Sequence, residues 1–223
     1  MASSSTAGKE RLSREILAVG ALALADREGL EAVTIRRLAT DNSVTPMALY
    51  WHFADKDAVL DGIAEQIYAS VILPEASDRQ WADQLRDVLL AVLTAIRPHP
   101  LAADLLASRV MKSEAGLILA ERVIGMLRDA GFSASQATQT ASFLLCSIIT
   151  LVTSEPGKHT ALSGEAQDDL RRAKRAQLDS LSPRHFPNLL ESAQYFLECD
   201  DEDEYFARGM NFLVQGTLAT LPR

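Results

Sequence analysis

Along almost the whole chain, apolar residues recur three and four positions apart. Strict alternation of β-branched residues is scarce, and 223 residues hold only 11 glycines and 8 prolines. That period lines one face of an α-helix and does not suit a half-buried strand, so the chain reads as all-α. A first helix is expected from about Ser13, a hydroxyl N-cap, to Glu28, carrying Ile16, Val19, Ala23 and Leu24 inward and stopped by Gly29. Thr34 opens a second helix that runs to about Asp41, and Asn42, Ser43 and Val44 break it. Thr45-Pro46, a hydroxyl cap followed by proline, then starts a third, ending near His52, because a proline loses nothing at the first helical position. Asp55 caps a fourth, whose Leu60, Ile63, Ile67 and Val71 make a stripe reaching towards Pro74.

Beyond a loop from Pro74 to Gln80, longer helices are expected over Trp81–Ile96, about Leu101–Val110, Glu114–Ala130 and Ser133–Thr153. The span Ser154–Arg184 is polar, with Pro156, Gly157, Gly164 and a charged run, DDLRRAKRAQ, able to form an exposed helix, and it reads as a mobile excursion. Two last helices, Pro187–Glu198 and Glu204–Thr220, flank an acidic run from Glu198 to Glu204 that suits a solvated loop or a helix N-terminus.

Several function classes are excluded on composition and motif. A hydrophobic share of 48% is enough for one large or two small cores. The longest apolar stretch, near Phe143–Val152, is about half of the roughly 20 residues a membrane span needs. The start, MASSSTAGKERL, has no apolar stretch behind basic residues, so the expectation is a cytoplasmic chain with no membrane partner. Cys146 and Cys199 stand far apart without a histidine at ligand spacing, which fits no disulfide framework and no zinc knuckle. There is no H-E-x-x-H, G-x-S-x-G or G-x-x-x-x-G-K, and His99 and His159 are isolated. No enzymatic activity, cofactor or metal site is therefore expected.

Charge at first argues against a nucleic-acid partner, since the net charge is −8 and the isoelectric point is near 5.0. Its distribution removes the objection. Residues 1–60 hold seven Lys/Arg against eight Asp/Glu, so nearly all of the excess acidity lies beyond them. A body more than a Debye length of about 10 Å from the phosphates is largely screened. Within that neutral region the second and third helices, joined by a short turn, have the shape of a helix-turn-helix. Leu38, Ala39, Val44 and Leu49 close the inter-helix core, leaving Thr45, Met47, Ala48, Tyr50, Trp51 and His52 largely outward. Hydroxyls, an imidazole and helix-end N–H groups suit phosphate oxygens, and methyl groups suit thymine.

At these residues the chain resembles the tetracycline-repressor family of transcriptional regulators. The likeness covers the first helix ending at Gly29, the stretch TIRRLA, the turn with Val44, and LYWHFADKDAVLDGI, where Tyr50, Trp51, His52, Phe53, Lys56 and Leu60 fall where the family has them. It continues more faintly into the ligand domain of the tetracycline repressors through Trp81, Gly131-Phe132, PNLLESAQYFL and YFARGMNFLVQG. The resemblance implies a flexible tail over 1–11, a three-helix DNA-binding domain over 12–58, and a larger helical ligand-binding and dimerisation domain over 59–223. It also implies a homodimer in which Ser133–Thr153 and Glu204–Thr220 form a four-helix bundle with their mates. Two recognition helices would then read a double-stranded, palindromic operator with half-sites roughly 34–36 Å apart.

Carried onto this chain, Thr34, Tyr50, His52 and Lys56 are the implied phosphate contacts, with Trp51 outward among them. Arg36, Thr45, Pro46, Met47 and Ala48 are the positions facing base edges. Pro46-Met47-Ala48 departs from the tetracycline repressors by offering no bidentate side chain, so readout should rest on Arg36, Thr45 and apolar contact with thymine methyls. The ligand domain departs further. Ile72, Val88, Val92 and Leu106 stand where the tetracycline repressors place polar and metal-binding groups, and they offer a tetracycline–magnesium chelate neither imidazole nor oxygen. The expected pocket is lined by Ile72, Val88, Val92, Leu106, Val123 and Leu145, with Arg109 as a polar anchor, and takes a moderately hydrophobic small-molecule effector. The function implied is a ligand-responsive transcriptional regulator, a repressor released from its operator by that effector. The alternatives are a helical protein-interaction module or a small all-α enzyme without DNA binding.

Overall fold

A computed structural model describes residues 13–75, 78–155, 164–197 and 201–221. The expected N-terminal tail, His159, Cys199 and the Glu198–Asp200 start of the acidic run lie outside the described residues. Ten α-helices appear among those described: α1 Arg14–Glu28, α2 Ile35–Asp41, α3 Pro46–Tyr50, α4 Lys56–Ala69, α5 Trp81–Ile96, α6 Glu114–Asp129, α7 Ala134–Thr153, α8 Glu165–Asp179, α9 Pro187–Glu191 and α10 Glu202–Ala219. No strand occurs among the described residues, as the apolar period requires.

Most helix starts are written locally. The side chains of Ser13, Thr34, Asp55, Ser113, Ser133 and Asp201 each accept a hydrogen bond from a backbone N–H three residues on, and Ser133 with Gln136 forms a reciprocal capping box. Gly29, with φ of 83°, ends α1 in a conformation that a side chain would resist.

α1 packs on α4 with a face that keeps only Leu24 of the expected inward set. Leu17, Ala18, Ala21, Leu24 and Ala25 are buried, whereas Ile16, Val19 and Ala23 are exposed. The helix is apolar on nearly every side, so period alone did not select a face. Close approach did: a Cβ at Gly62 of α4 would stand 3.1 Å from the Phe53 ring and 3.3 Å from Ala18 Cβ. Small residues on α1 let the two backbones meet.

The expected helix over Leu101–Val110 is absent. The segment instead forms two 3-10 turns, Ala103–Leu105 and Val110–Lys112. Ala102, Ala103 and Leu106 are fully buried, and the Tyr68 hydroxyl donates to the Leu106 carbonyl at 2.8 Å, diverting an acceptor from a helical ladder. Burial pushes the Tyr68 phenol well above its ordinary pKa, so it remains a donor. The helix expected over Pro187–Glu198 likewise divides into α9 and a 3-10 turn, Ala193–Phe196. α4 ends at Ala69, short of Val71.

One hydrophobic core runs from α1 through α4 into α5, α6, α7 and α10. α4 touches α1 on one side and α5 and α6 on the other. The boundary expected between residues 58 and 59 falls within the first turn of this shared helix. α7 is long and apolar enough to cross a membrane, with a mean hydropathy of 1.2. Its Ala137, Leu144, Ile148, Ile149 and Val152 are the residues buried in the bundle, while Phe143 stands exposed.

Candidate nucleic-acid interface and effector cavity

Thr34 sets the start of α2, and Asn42 closes its end by donating through its side chain to the Leu38 carbonyl at 2.8 Å. Ser43 follows with φ of 53°, the left-handed conformation that reverses the chain, and the Val44 N–H then returns to the Ala39 carbonyl at 2.9 Å. α3 leaves this turn at a fixed angle. Thr45 occupies its N-cap position, but its side chain makes no capping bond, which corrects the expected hydroxyl cap. Pro46, at the first helical position, has no N–H to satisfy.

Leu49 and Phe53 anchor α3 in the core while its other side stands clear: Met47 is 69% exposed, Tyr50 52% and Trp51 86%. His52 is half-buried, and its carbonyl accepts from Arg14 at 3.1 Å while the Arg14 guanidinium lies over the Phe53 ring. Arg14 therefore holds the end of α3 to the start of α1, a role sequence reasoning did not assign because the partners are 38 residues apart.

The two arginines of α2 have separate fates. Arg37 donates to both Glu28 oxygens, at 2.9 and 2.6 Å, and to Asp41 at 3.1 Å. These hydrogen bonds raise the pKa of its guanidinium well above the ordinary value and lower that of Glu28. Arg36 is exposed and has no ion pair among the described residues. Lys56, at the first position of α4, lies 3.7 Å from the fully exposed Glu31, a loose pair in water. Thr34, Arg36, Thr45, Pro46, Met47, Ala48, Tyr50, Trp51, His52 and Lys56 thus all lie on the helix-turn-helix or at the α4 start, and all are exposed or half-exposed.

The second site is a cavity of about 280 Å³ among α5, α6, α7 and the turn Val110–Lys112. Of the sequence-predicted lining, Val92, Val123 and Leu145 face it. Val88 and Leu106 are fully buried elsewhere in the core, and Ile72, 86% exposed, borders a separate crevice with Thr94 and His99. Arg109 is not a cavity anchor: it lies 2.5 Å from Asp57 and 3.1 Å from Asp61 of α4. Sequence reasoning missed the rest of the wall, including Leu89 of α5, Val110 and Met111 of the turn, Leu119 of α6, and Thr138 and Ser142 of α7. A third surface, on α7 and α10, exposes Phe143 and Phe212, each 70% accessible, beside Gln139 and Gly216.

Comparison with known proteins agrees with this arrangement. Residues 17–63 match the family model described as bacterial regulatory proteins, tetR family, and residues 73–221 match that of the tetracyclin repressor-like C-terminal domain. An HTH-type transcriptional regulator of Saccharopolyspora erythraea is 27% identical over 95% of this chain and 87% of its own. The class C tetracycline repressor protein of Escherichia coli is 28% identical over 92% of this chain and 90% of its own. Among solved structures, the Streptomyces coelicolor TetR family protein ActR in complex with (S)-DNPA superimposes with a TM-score of 0.73 at 25% identity, covering 93% of this chain and 98% of that one. An exposed helix-turn-helix, a ligand-sized cavity within the C-terminal bundle and two matching domain models converge: the chain belongs to the tetracycline-repressor family of ligand-responsive, DNA-binding transcriptional regulators.

Proposed function

We propose that this regulator acts as a homodimeric repressor that leaves a palindromic operator when a neutral, largely apolar small molecule fills the cavity among α5, α6 and α7. The cavity wall carries this reading. Among the described residues its polar side chains are Thr138 and Ser142, and each hydroxyl donates to its own helix, to the carbonyls of Ala134 and Thr138. Only lone pairs are left for a ligand. A charged ligand would lose its hydration without a counter-ion there, whereas an apolar body gains about 25 cal/mol per Å² buried. A ligand hydroxyl or amide N–H would find Thr138 or Ser142 as acceptor.

At the operator, Tyr50, His52, Lys56 and the Thr34 hydroxyl serve the phosphates, and Arg36, Thr45 and Met47 face the bases, with Pro46, Ala48 and Trp51 filling the groove side of α3. The Thr34 oxygen accepts from Arg37, which leaves its hydrogen to donate outward. Dimerisation through α7 and α10 would cover Phe143 and Phe212 and set the spacing of the two α3 helices. Repression is supported by likeness to the tetracycline repressors.

Gel-shift assays on the DNA upstream of the coding sequence test the first half of the reading, with wild type beside Tyr50→Ala and His52→Ala. Retardation that weakens in both variants supports it, and failure to select any sequence from a random pool would overturn it. Calorimetric titration tests the second half: tight binding of magnesium-tetracycline would refute a neutral, apolar effector.

A further inference from the structure

Val110 and Met111 wall the cavity, and a cation stands on each side of them in the chain, Arg109 before and Lys112 after. Neither cation faces the cavity; both reach α4. Arg109 lies 2.5 Å from Asp57 and 3.1 Å from Asp61, and Lys112 lies 2.8 Å from Asp57 and 3.5 Å from Asp61. The two carboxylates are four residues apart, one turn along the same face of α4, and Asp57 directly follows Lys56. Further along that face Glu65 accepts the Ala115 N–H at 3.3 Å, so the whole strap 109–115 follows one acidic row.

Beyond the N-cap Asp55, which is engaged by the Ala58 N–H, two further negative charges in the first two turns of α4 are a liability for a helix whose first residue is a proposed phosphate contact. Arg109 is only 12% exposed and closes over both carboxylates, while Lys112 adds a second positive charge. We propose that Arg109 and Lys112 are positioning residues for operator binding that act by charge: they mask Asp57 and Asp61 so that phosphate can approach Lys56. The inference rests on the DNA-binding reading above and adds residues outside the helix-turn-helix to it. A strap that is also cavity wall carries the mask with it when the wall moves.

A mask and a mechanical tether predict opposite signs for the acidic partner. If the pairs only hold α4 in place, Asp57→Asn and Lys112→Met both weaken DNA binding and the double variant stays weak. If they mask charge, Lys112→Met weakens operator binding about threefold to tenfold at low salt. Asp57→Asn binds at least as tightly as wild type, and Lys112→Met/Asp57→Asn returns to within about twofold of it. The Lys112→Met defect should also shrink as salt rises from about 50 to 200 mM. Lys112 is half-exposed, which makes this pair a safer test than Arg109, and thermal melts of each full-length variant check folding. Weak binding by Asp57→Asn, or a double variant without rescue, overturns the mask. Wild type that selects no DNA at all overturns the DNA-binding reading itself, a result distinct from either.

Discussion

Arg37 donates to Glu28 and Asp41, whereas Arg36, one residue earlier, leaves its guanidinium on the open side of α2. A guanidinium committed to two carboxylates has few donors left for a base edge, so neighbours of one type divide stability from recognition. Arg36→Ala should cost about 1–3 kcal/mol against the preferred operator and relax discrimination at one position of each half-site, read by binding to a panel of single-base operator variants. Arg37→Ala should lower the thermal midpoint and leave that discrimination unchanged. Gly116 is a constraint of another kind. A Cβ there would stand 2.7 Å from the Val110 carbonyl oxygen, backbone that cannot swing aside as a side chain does. Gly116→Ala should destabilise the fold by about 1–3 kcal/mol, measured by denaturant unfolding, and displace the cavity wall.

Among the elements, the segment Leu101–Val110 is where period and packing disagree. Its leucines and alanines are spaced for a helix, yet the Ala103–Leu105 turn packs on α7 and the Leu106 carbonyl is taken by Tyr68 of α4. The hydrogen bond from Lys112, with the nearby Arg109 charge, holds the Asp57 carboxyl below its ordinary value of 3.8. A depressed folded-state value means the contact stabilises the fold above that ordinary value and is lost as pH falls through the depressed one. Thermal melts of wild type and Asp57→Asn should therefore differ at neutral pH and converge in acid below the ordinary aspartate range. A difference that persists unchanged into strong acid would refute the linkage.

For the whole molecule, the open surface of α7 and α10 matters most. Phe143 and Phe212 are large, apolar and 70% exposed, which a lone soluble bundle has no reason to display. Phe212→Asp should convert the dimer to monomers in sedimentation velocity. Because each copy presents one recognition helix, it should also abolish tight binding to a two-half-site operator while leaving α-helical content unchanged. Loss of operator binding without loss of the dimer would place Phe212 outside the interface.

What the sequence determined is what neighbouring residues settle between themselves. Caps at Ser13, Thr34, Asp55 and Ser133 satisfy N–H groups within one turn, so the starts of α1, α2, α4 and α7 were legible. So was the outward set on α3, because a helix that buries Leu49 must turn Met47, Tyr50 and Trp51 away from that side. Tertiary structure alone decided which face of the alanine-rich α1 is buried, why Leu101–Val110 is not a helix, and where Arg109 goes. The reason is physical. An apolar residue carries no address, and the cavity draws its wall from three helices and a turn. Arg109 meets a carboxylate 52 residues away, a pairing that exists only once α4 and the strap have packed.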